Sequence, residues 1–540
     1  MDPQGQQVPL LSGEAVGRRQ FLRGVAGAGA LVGAGGLLAA CGSGGTSKST
    51  LAARTGPPKP GGNLRVGLAG GSGNTTLDPH VGGVTYTDTC RLQALYQPLL
   101  QLNAEGRNEF VLAESIDAVS PTKFIIKLKS NITFHNGKSF TADDVIYSFR
   151  RIKTGNKGTG FSGANSLGPM DTNGLKALDS HTVMVPMTSD YASFEDQLSY
   201  WYFLYIVPEG FDPAKQKPNG TGPFVYQSFT PGKQSVFTKN PHYWKPNLPY
   251  ADSLTIIEFP DNISLQDALI TRQVDAAGAL EGPQLASLAN TPGVKAVASQ
   301  TGAITPFTMR VDKEPFHDVN VRQALRLIVD RQQLIDSALD GYATVASDVF
   351  SPFDADFDHA LRRQADIPQA KHLLKKAGRQ DLTITLTTSP VATGTVAMAQ
   401  VLAQQAKAAG VTIKVNNVQP NTFFSQTNYL QWPFSQDFYN YSPYLAQVAQ
   451  SMVKNSPFNE THTDSPRYNN LYHQANSTLN KNTRKEIVTQ MQEFDYNEGG
   501  YIIPAYIDSL DAYSTRITGW KRAKVGQPMS DFDLEHFWFV

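Results

Sequence analysis

Between Asn63 and Ala69 the apolar Leu64, Val66 and Leu68 alternate with polar or small residues, the period-two pattern of a half-buried strand. The strand runs out into Gly70-Gly71-Ser72-Gly73-Asn74, which predicts a loop whose glycines allow close backbone approach. A second alternation, from Lys123 to Lys129, puts Phe124, Ile126 and Leu128 on one face and lysines on much of the other, predicting a strand with one wet side. Thr141 then caps an expected helix. Asp143 and Asp144 suit its positive dipole end, and Val145, Phe149 and Ile152 line its inner face. Further on, the spacing predicts a helix over 321–339 with Ala324, Leu325, Ile328, Ile335 and Leu339 on one stripe, and a shorter helix over 369–377 stopped at Gly378. Residues 382–386 read as a strand, 396–409 as a helix stopped at Gly410, and 411–415 as another strand. Strand, helix and strand in succession predict a βαβ unit.

At 540 residues the chain is several times a typical domain of about 150 residues, so two or three lobes are expected. Basic and acidic residues both number 47, so no net field steers a polyanion to the surface and nucleic acid is not an expected partner. A composition 40% hydrophobic and 17% charged is that of a globular chain. Two cysteines, Cys41 and Cys90, cannot build a disulfide scaffold or an all-cysteine metal site. The glycine loop lacks both Gly-x-x-x-x-Gly-Lys-Ser/Thr and Gly-x-Gly-x-x-Gly, so it is not a nucleotide cradle, and no cofactor is expected.

The first 40 residues read as an export signal: Arg18-Arg19-Gln20-Phe21-Leu22-Arg23 precedes a Gly/Ala-rich apolar run from Val25 to Ala40. That run is shorter than the roughly 20 residues needed to span a bilayer. The paired arginines resemble a twin-arginine signal, with Gly17 where Ser or Thr is common. Leu38-Ala39-Ala40-Cys41-Gly42 resembles a bacterial lipobox, which implies a lipid on Cys41 and anchorage to the outer face of the cell membrane. Cys90, with no Cys-x-x-Cys neighbour, is expected to be a core thiol. Residues 41–62 form a Gly/Ser-rich and then Pro-rich tether with a reach of roughly 25 Å.

Phe134-His135-Asn136-Gly137-Lys138 leading into Thr141-Ala142-Asp143-Asp144-Val145, Gly220-Thr221-Gly222-Pro223-Phe224, Asn240-Pro241-His242-Tyr243-Trp244, and Val321-Arg322-Gln323-Ala324-Leu325 with Asp330-Arg331 together resemble the family 5 extracellular solute-binding proteins. These are the oligopeptide- and dipeptide-binding components of ABC importers. The resemblance covers nearly all of 61–540 and implies an α/β, two-lobed periplasmic-binding-protein-like fold of type II, in the large three-domain variant with a hinged cleft. The implied first lobe takes 63–100, 220–305 and 505–540, a subdomain inserted in it takes 101–219, and the second lobe takes 306–504. A peptide or other small solute is the implied guest, and an ABC permease with its ATPase the implied partner of a monomeric binding protein. Candidate contacts in the first lobe are Asn74, Thr75, Tyr86, Thr221 and Gly222, with Trp201 in an aromatic stretch that could wall the cleft.

In the second lobe the candidates are Trp432, Asp437, Phe438, Tyr439 and Asn440, in the stretch where peptide-binding relatives carry an Asp-Tyr pair followed by Pro. In those relatives the aspartate pairs with the peptide's ammonium. Counted back from Pro443, that slot holds Tyr439, and Asp437 stands two residues away. Arg310 is a further departure: facing a cleft it would need a ligand carboxylate or an internal partner such as Asp312. The expected ligand therefore lacks a free N-terminal ammonium: a modified peptide, an anionic or neutral solute, a metal chelate, or a sugar stacked on Trp432 and Tyr439. An exported hydrolase is the rival reading, but there is no Gly-x-Ser-x-Gly elbow and no His-Glu-x-x-His helix, and His462 near Asp464 reads as a polar loop pair.

Overall fold

Asn63–Ala69 forms a strand over the span its alternation predicts, yet Leu64, Val66 and Leu68 and much of the opposite face are covered, because it lies in a parallel part of its sheet with helix Tyr86–Leu95 on one face and helix Asn262–Ile270 on the other. Val66 lies opposite Ile256 of Ser253–Phe259 on one side and Ala276 of Ala276–Gly278 on the other. Gly67 sits where a Cβ would fall 2.5 Å from Leu265 of helix Asn262–Ile270, so its lack of a side chain lets that helix seat on the sheet. In this computed structural model the described residues are 56–70, 76–81, 85–155, 161–199 and 201–540. The export signal, the lipobox with Cys41, and Asn74 and Thr75 lie outside the described residues, as does the side chain of Trp201. Among the described residues no helix is long and apolar enough to cross a membrane.

The sheet around Asn63–Ala69 has eight strands, running from Val294–Ile304 through Ala505–Ser514 and on to Gln234–Lys239 and Phe224–Thr230 at the far edge. A second sheet of five strands carries the predicted βαβ unit: Thr383–Thr388 pairs in parallel with Thr412–Asn417, joined by helix Thr395–Ala406. Gly410, at φ 82°, ends the helical segment in the left-handed conformation that glycine adopts without strain. A third sheet of four strands is antiparallel and contains Lys123–Leu128, whose Phe124, Ile126 and Leu128 are buried as the alternation predicts.

The predicted helix over 321–339 is two helices, Val319–Ile328 and Arg331–Ala338. Val329 is extended, and Asp330 accepts the Gln333 N–H at 3.0 Å, so its carboxylate starts a new helix instead of sitting inside an old one. The break carries Arg331 to Asp348, which it meets at 2.9 Å while Arg363 reaches the same carboxylate at 2.6 Å. Burial alone would raise the Asp348 pKa; the guanidinium charges outweigh it and hold the carboxyl below its ordinary value.

The chain passes between the first two sheets at two places that lie side by side. One runs from Ile304 through Thr305-Pro306 to Phe307, the other from Ile502 through Ile503-Pro504 to Ala505. Ile304 is opposite Tyr506 on the first-sheet side, and Phe307 is opposite Ile502 on the second. Each crossing contains a proline, which has no N–H for a ladder, so one sheet stops and the other starts there.

Candidate functional site

A cavity opens at these crossings. It is walled by Ala303, Ile304 and Thr305 of one crossing and Ile507, Asp508 and Ser509 just beyond the other. The second-sheet side adds Phe438, Tyr439 and Asn440, which follow strand Phe434–Gln436, and the first-sheet side adds Tyr86 at the start of helix Tyr86–Leu95. The space totals about 500 Å³, its solvent-open mouth included.

Local chemistry fixes each wall. Thr85 caps the Tyr86 helix by accepting the Asp88 N–H at 3.2 Å. Tyr439 is tied to the hinge: its N–H donates to Ile304 O at 3.0 Å and its carbonyl accepts the Ile304 N–H at 2.9 Å. Its hydroxyl donates to Glu460 and lies 3.2 Å from Phe458 O. Gly526, at φ 107°, brings the C-terminal segment so close that a Cβ there would lie 2.7 Å from Ala303 and 3.2 Å from the Asn440 side chain.

Four of the sequence candidates, Tyr86, Phe438, Tyr439 and Asn440, thus meet at one cavity. The others have different surroundings. Arg310 is buried and spent internally, on Asp312 at 2.5 and 2.9 Å and on Gln431 at 3.1 Å. Trp432 stacks on Phe423 with ring centroids 6.1 Å apart and is not among the cavity walls. Asp437 is buried, accepting from the Tyr429 hydroxyl at 2.8 Å and the Phe438 N–H at 2.8 Å. It faces Glu460, whose carboxyl also receives the hydroxyls of Tyr439 and Tyr501. Burial and the Asp437 charge hold Glu460 well above the ordinary carboxyl range, and burial raises Asp437 too. Two buried acids facing each other in this way disfavour the doubly ionised pair.

Thr221 and Gly222 belong to a structural clasp. A Cβ on Gly222 would fall 2.6 Å from the Ala94 and Leu95 carbonyls at the end of the Tyr86–Leu95 helix. The Gly222 carbonyl accepts from Asn240 at 3.0 Å and lies 3.0 Å from His135 Nε2. Three of the segments that carry the family resemblance therefore lock onto one another. Burial lowers the His135 pKa to about 4, so the clasp works with a neutral ring. Cys90 is a free, buried thiol whose pKa burial pushes up, and it is inert.

Sequence reasoning missed Asp508, the one carboxylate among the described cavity walls. Burial moves its pKa from 3.8 up to about 6, against the pull of Arg522. The available signal was the adjacent polar pair Asp508-Ser509 following the apolar Ala505-Tyr506-Ile507 at the start of the strand. Among the described residues, one group outside the cavity has metal-ligand spacing. Asp533, Glu535 and His536 have donor atoms within 4.8 Å of one another, but His536 holds Asp533 at 2.7 Å and Lys245 holds Glu535 at 2.7 Å. That set is a self-neutralised clasp.

Two α/β lobes joined by paired crossings beside a cavity define the fold of the type II periplasmic binding proteins. The profile of the bacterial extracellular solute-binding proteins, family 5 Middle, matches residues 110–470, and the chain belongs to that family. The glutathione-binding protein GsiB of Escherichia coli O6:K15:H31 is 28% identical over 322 residues, which are 58% of this chain and 61% of GsiB. Among solved structures, the ABC transporter-associated periplasmic binding protein DppA of Helicobacter pylori, in complex with peptide STSA, superposes with a TM-score of 0.77 at 20% identity, covering 89% of this chain and 98% of DppA. NikA of Staphylococcus aureus, in complex with Ni(L-His)2, gives 0.72 at 20% identity over 86% of this chain and 97% of NikA.

Proposed function

We propose that the chain is the extracytoplasmic solute-binding component of an ABC importer, which captures a peptide or peptide-like solute between its lobes and delivers it to a membrane permease served by a partner ATPase. The observation that carries this is the cavity placed at two adjacent crossings, with walls drawn from both sheets. Only contacts made from both sides in the closed form give a solute a differential affinity for closure, and closure is the state a permease can read. Export by the twin-arginine signal and a lipid on Cys41 would hold a monomeric binder beside its permease.

A second reading, a non-peptide guest such as a metal chelate, an oligosaccharide or another anionic solute, is favoured by the burial of Asp437 away from the cavity. The GsiB and NikA names and the DppA peptide complex show how wide the guest range is among similar proteins. Small-angle scattering of the purified chain, with and without the solute that co-purifies and is identified by native mass spectrometry, tests the function. A smaller radius of gyration with the solute bound, and recovery of that solute unchanged, are expected. An identical envelope in both states, or a converted solute, would rule the proposal out.

A further inference from the structure

The ladder between Val294–Ile304 and Ala505–Ser514 is regular from Val294 opposite Ser514 to Ser299 opposite Ser509, then jumps to Ala303 opposite Ile507. Asp508 falls in that jump. It has no partner across this ladder, and such an irregularity re-aims the side chains beside it. Its N–H is spent on Tyr342 O at 3.2 Å, and Thr301 takes the neighbouring Ile507 carbonyl at 2.6 Å, so the local backbone is fixed.

Asp508 lines the cavity and is only half-buried, and one of its two carboxylate oxygens, Oδ1, is closed off from solvent and has no hydrogen-bond partner among the described residues. With its pKa at about 6, the group is still ionised at neutral pH, and Arg522 is solvent-exposed. A part-buried anion without a donor is costly unless something arrives to pair with it. The described walls hold no lysine, arginine or histidine, so nothing in them complements an anionic group on the guest.

Resting on the solute-binding reading, we propose that Asp508 anchors a cationic nitrogen of the solute, an ammonium or a guanidinium, and thereby selects guests that carry such a group, zwitterions included, over guests that lack one. Asp437, the carboxylate the sequence offered for this task, is occupied by Tyr429 and its pairing with Glu460. The ammonium site has moved from the second lobe to the hinge strand of the first sheet, which reverses the expectation of a guest without a free amine.

Native mass spectrometry of the 540-residue chain against an equimolar mixture of Met-Leu, N-acetyl-Met-Leu, agmatine and maltotriose tests this. Wild type should retain Met-Leu and agmatine about tenfold or more over the other two, Asp508→Asn should reduce that preference to about threefold or less, and Asp508→Glu should keep part of it. Retention without charge preference, or a preference that survives in Asp508→Asn, overturns this inference alone. Retention of no member at millimolar concentration overturns the solute-binding reading and the inference with it. A second measurement needs no solute: at pH 8 Asp508→Asn should melt at or above the wild-type temperature, since it removes an unpaired charge. A clear fall would reveal an internal partner for the carboxylate and overturn the assignment.

Discussion

Glu460 illustrates how much one side chain can hold in place. Its two oxygens receive the hydroxyls of Tyr439, from the cleft wall, and Tyr501, from the strand entering the hinge, while Asp437 faces it. An acid whose folded pKa is raised above its unfolded value stabilises the fold fully below the unfolded pKa, and that contribution is lost as pH climbs through the folded one. For Glu460 the loss begins near the ordinary 4.5 and continues above it, driven first by burial and then by the Asp437 charge. Glu460→Gln keeps the shape and an acceptor but does not titrate. Its stability relative to wild type should therefore improve by about 1 kcal/mol or more between pH 5 and pH 8, read by urea denaturation at the two values. A difference independent of pH would show that Glu460 does not titrate with a raised pKa.

At the level of elements, the break at Val329-Asp330 is set by one carboxylate. Asp330→Ala removes the cap from Arg331–Ala338 and should cost about 1 kcal/mol in denaturant unfolding, with Asp330→Asn costing much less; equal costs would refute the capping account. The same break shows where the sequence was readable. Periodicity gave Asn63–Ala69 and the capped helix Ala142–Thr154 because burial and local chemistry agree there: Thr141 and Asp144 bond as the expected cap, the Thr141 N–H donating to the Asp144 carboxylate at 2.9 Å. It joined two helices across 329–330 because an apolar stripe continues through a kink, and only Asp330, read as a cap, would have divided them. The cleft was half legible. Phe438, Tyr439 and Asn440 sit in a stretch whose aromatic and amide character marks a wall, and Tyr86 at a helix start. Asp508 was hidden because its surroundings depend on a ladder irregularity between strands some two hundred positions apart, and Asp437 looked available because its partners Tyr429 and Glu460 are joined to it only in the folded chain, whereas the Arg310–Asp312 pair, two residues apart, was legible in the sequence.

For the molecule as a whole, the hinge is not the only link between the second lobe and the rest. On another face the segment Ala192–Gln197, next to the four-stranded sheet, bonds to helices Tyr444–Ser451 and Pro466–Ser477. The Ser193 hydroxyl donates to Asn476 Oδ1 at 2.6 Å, the Ala192 N–H to Asn476 O at 2.8 Å, and Gln197 Nε2 to Leu445 O at 3.0 Å. Gln450 Nε2 adds a bond to Ser166 at 3.1 Å. All these groups are buried, so a lobe motion of the kind proposed above that parted these segments would break the bonds and expose their atoms to water. On that reading they weight the balance toward the form in which they are made, without touching the cavity. Asn476→Ala leaves the Ser193 N–H and hydroxyl without their acceptor, a cost of about 1–3 kcal/mol paid only when closed. Because apparent affinity scales with the fraction of molecules in the competent state, affinity for the co-purifying solute should fall by roughly tenfold, and the solute-free radius of gyration should increase. A variant that binds as tightly as wild type and scatters identically would show that these bonds persist in the open form, and the motion would then have to be confined to elements inside the second lobe.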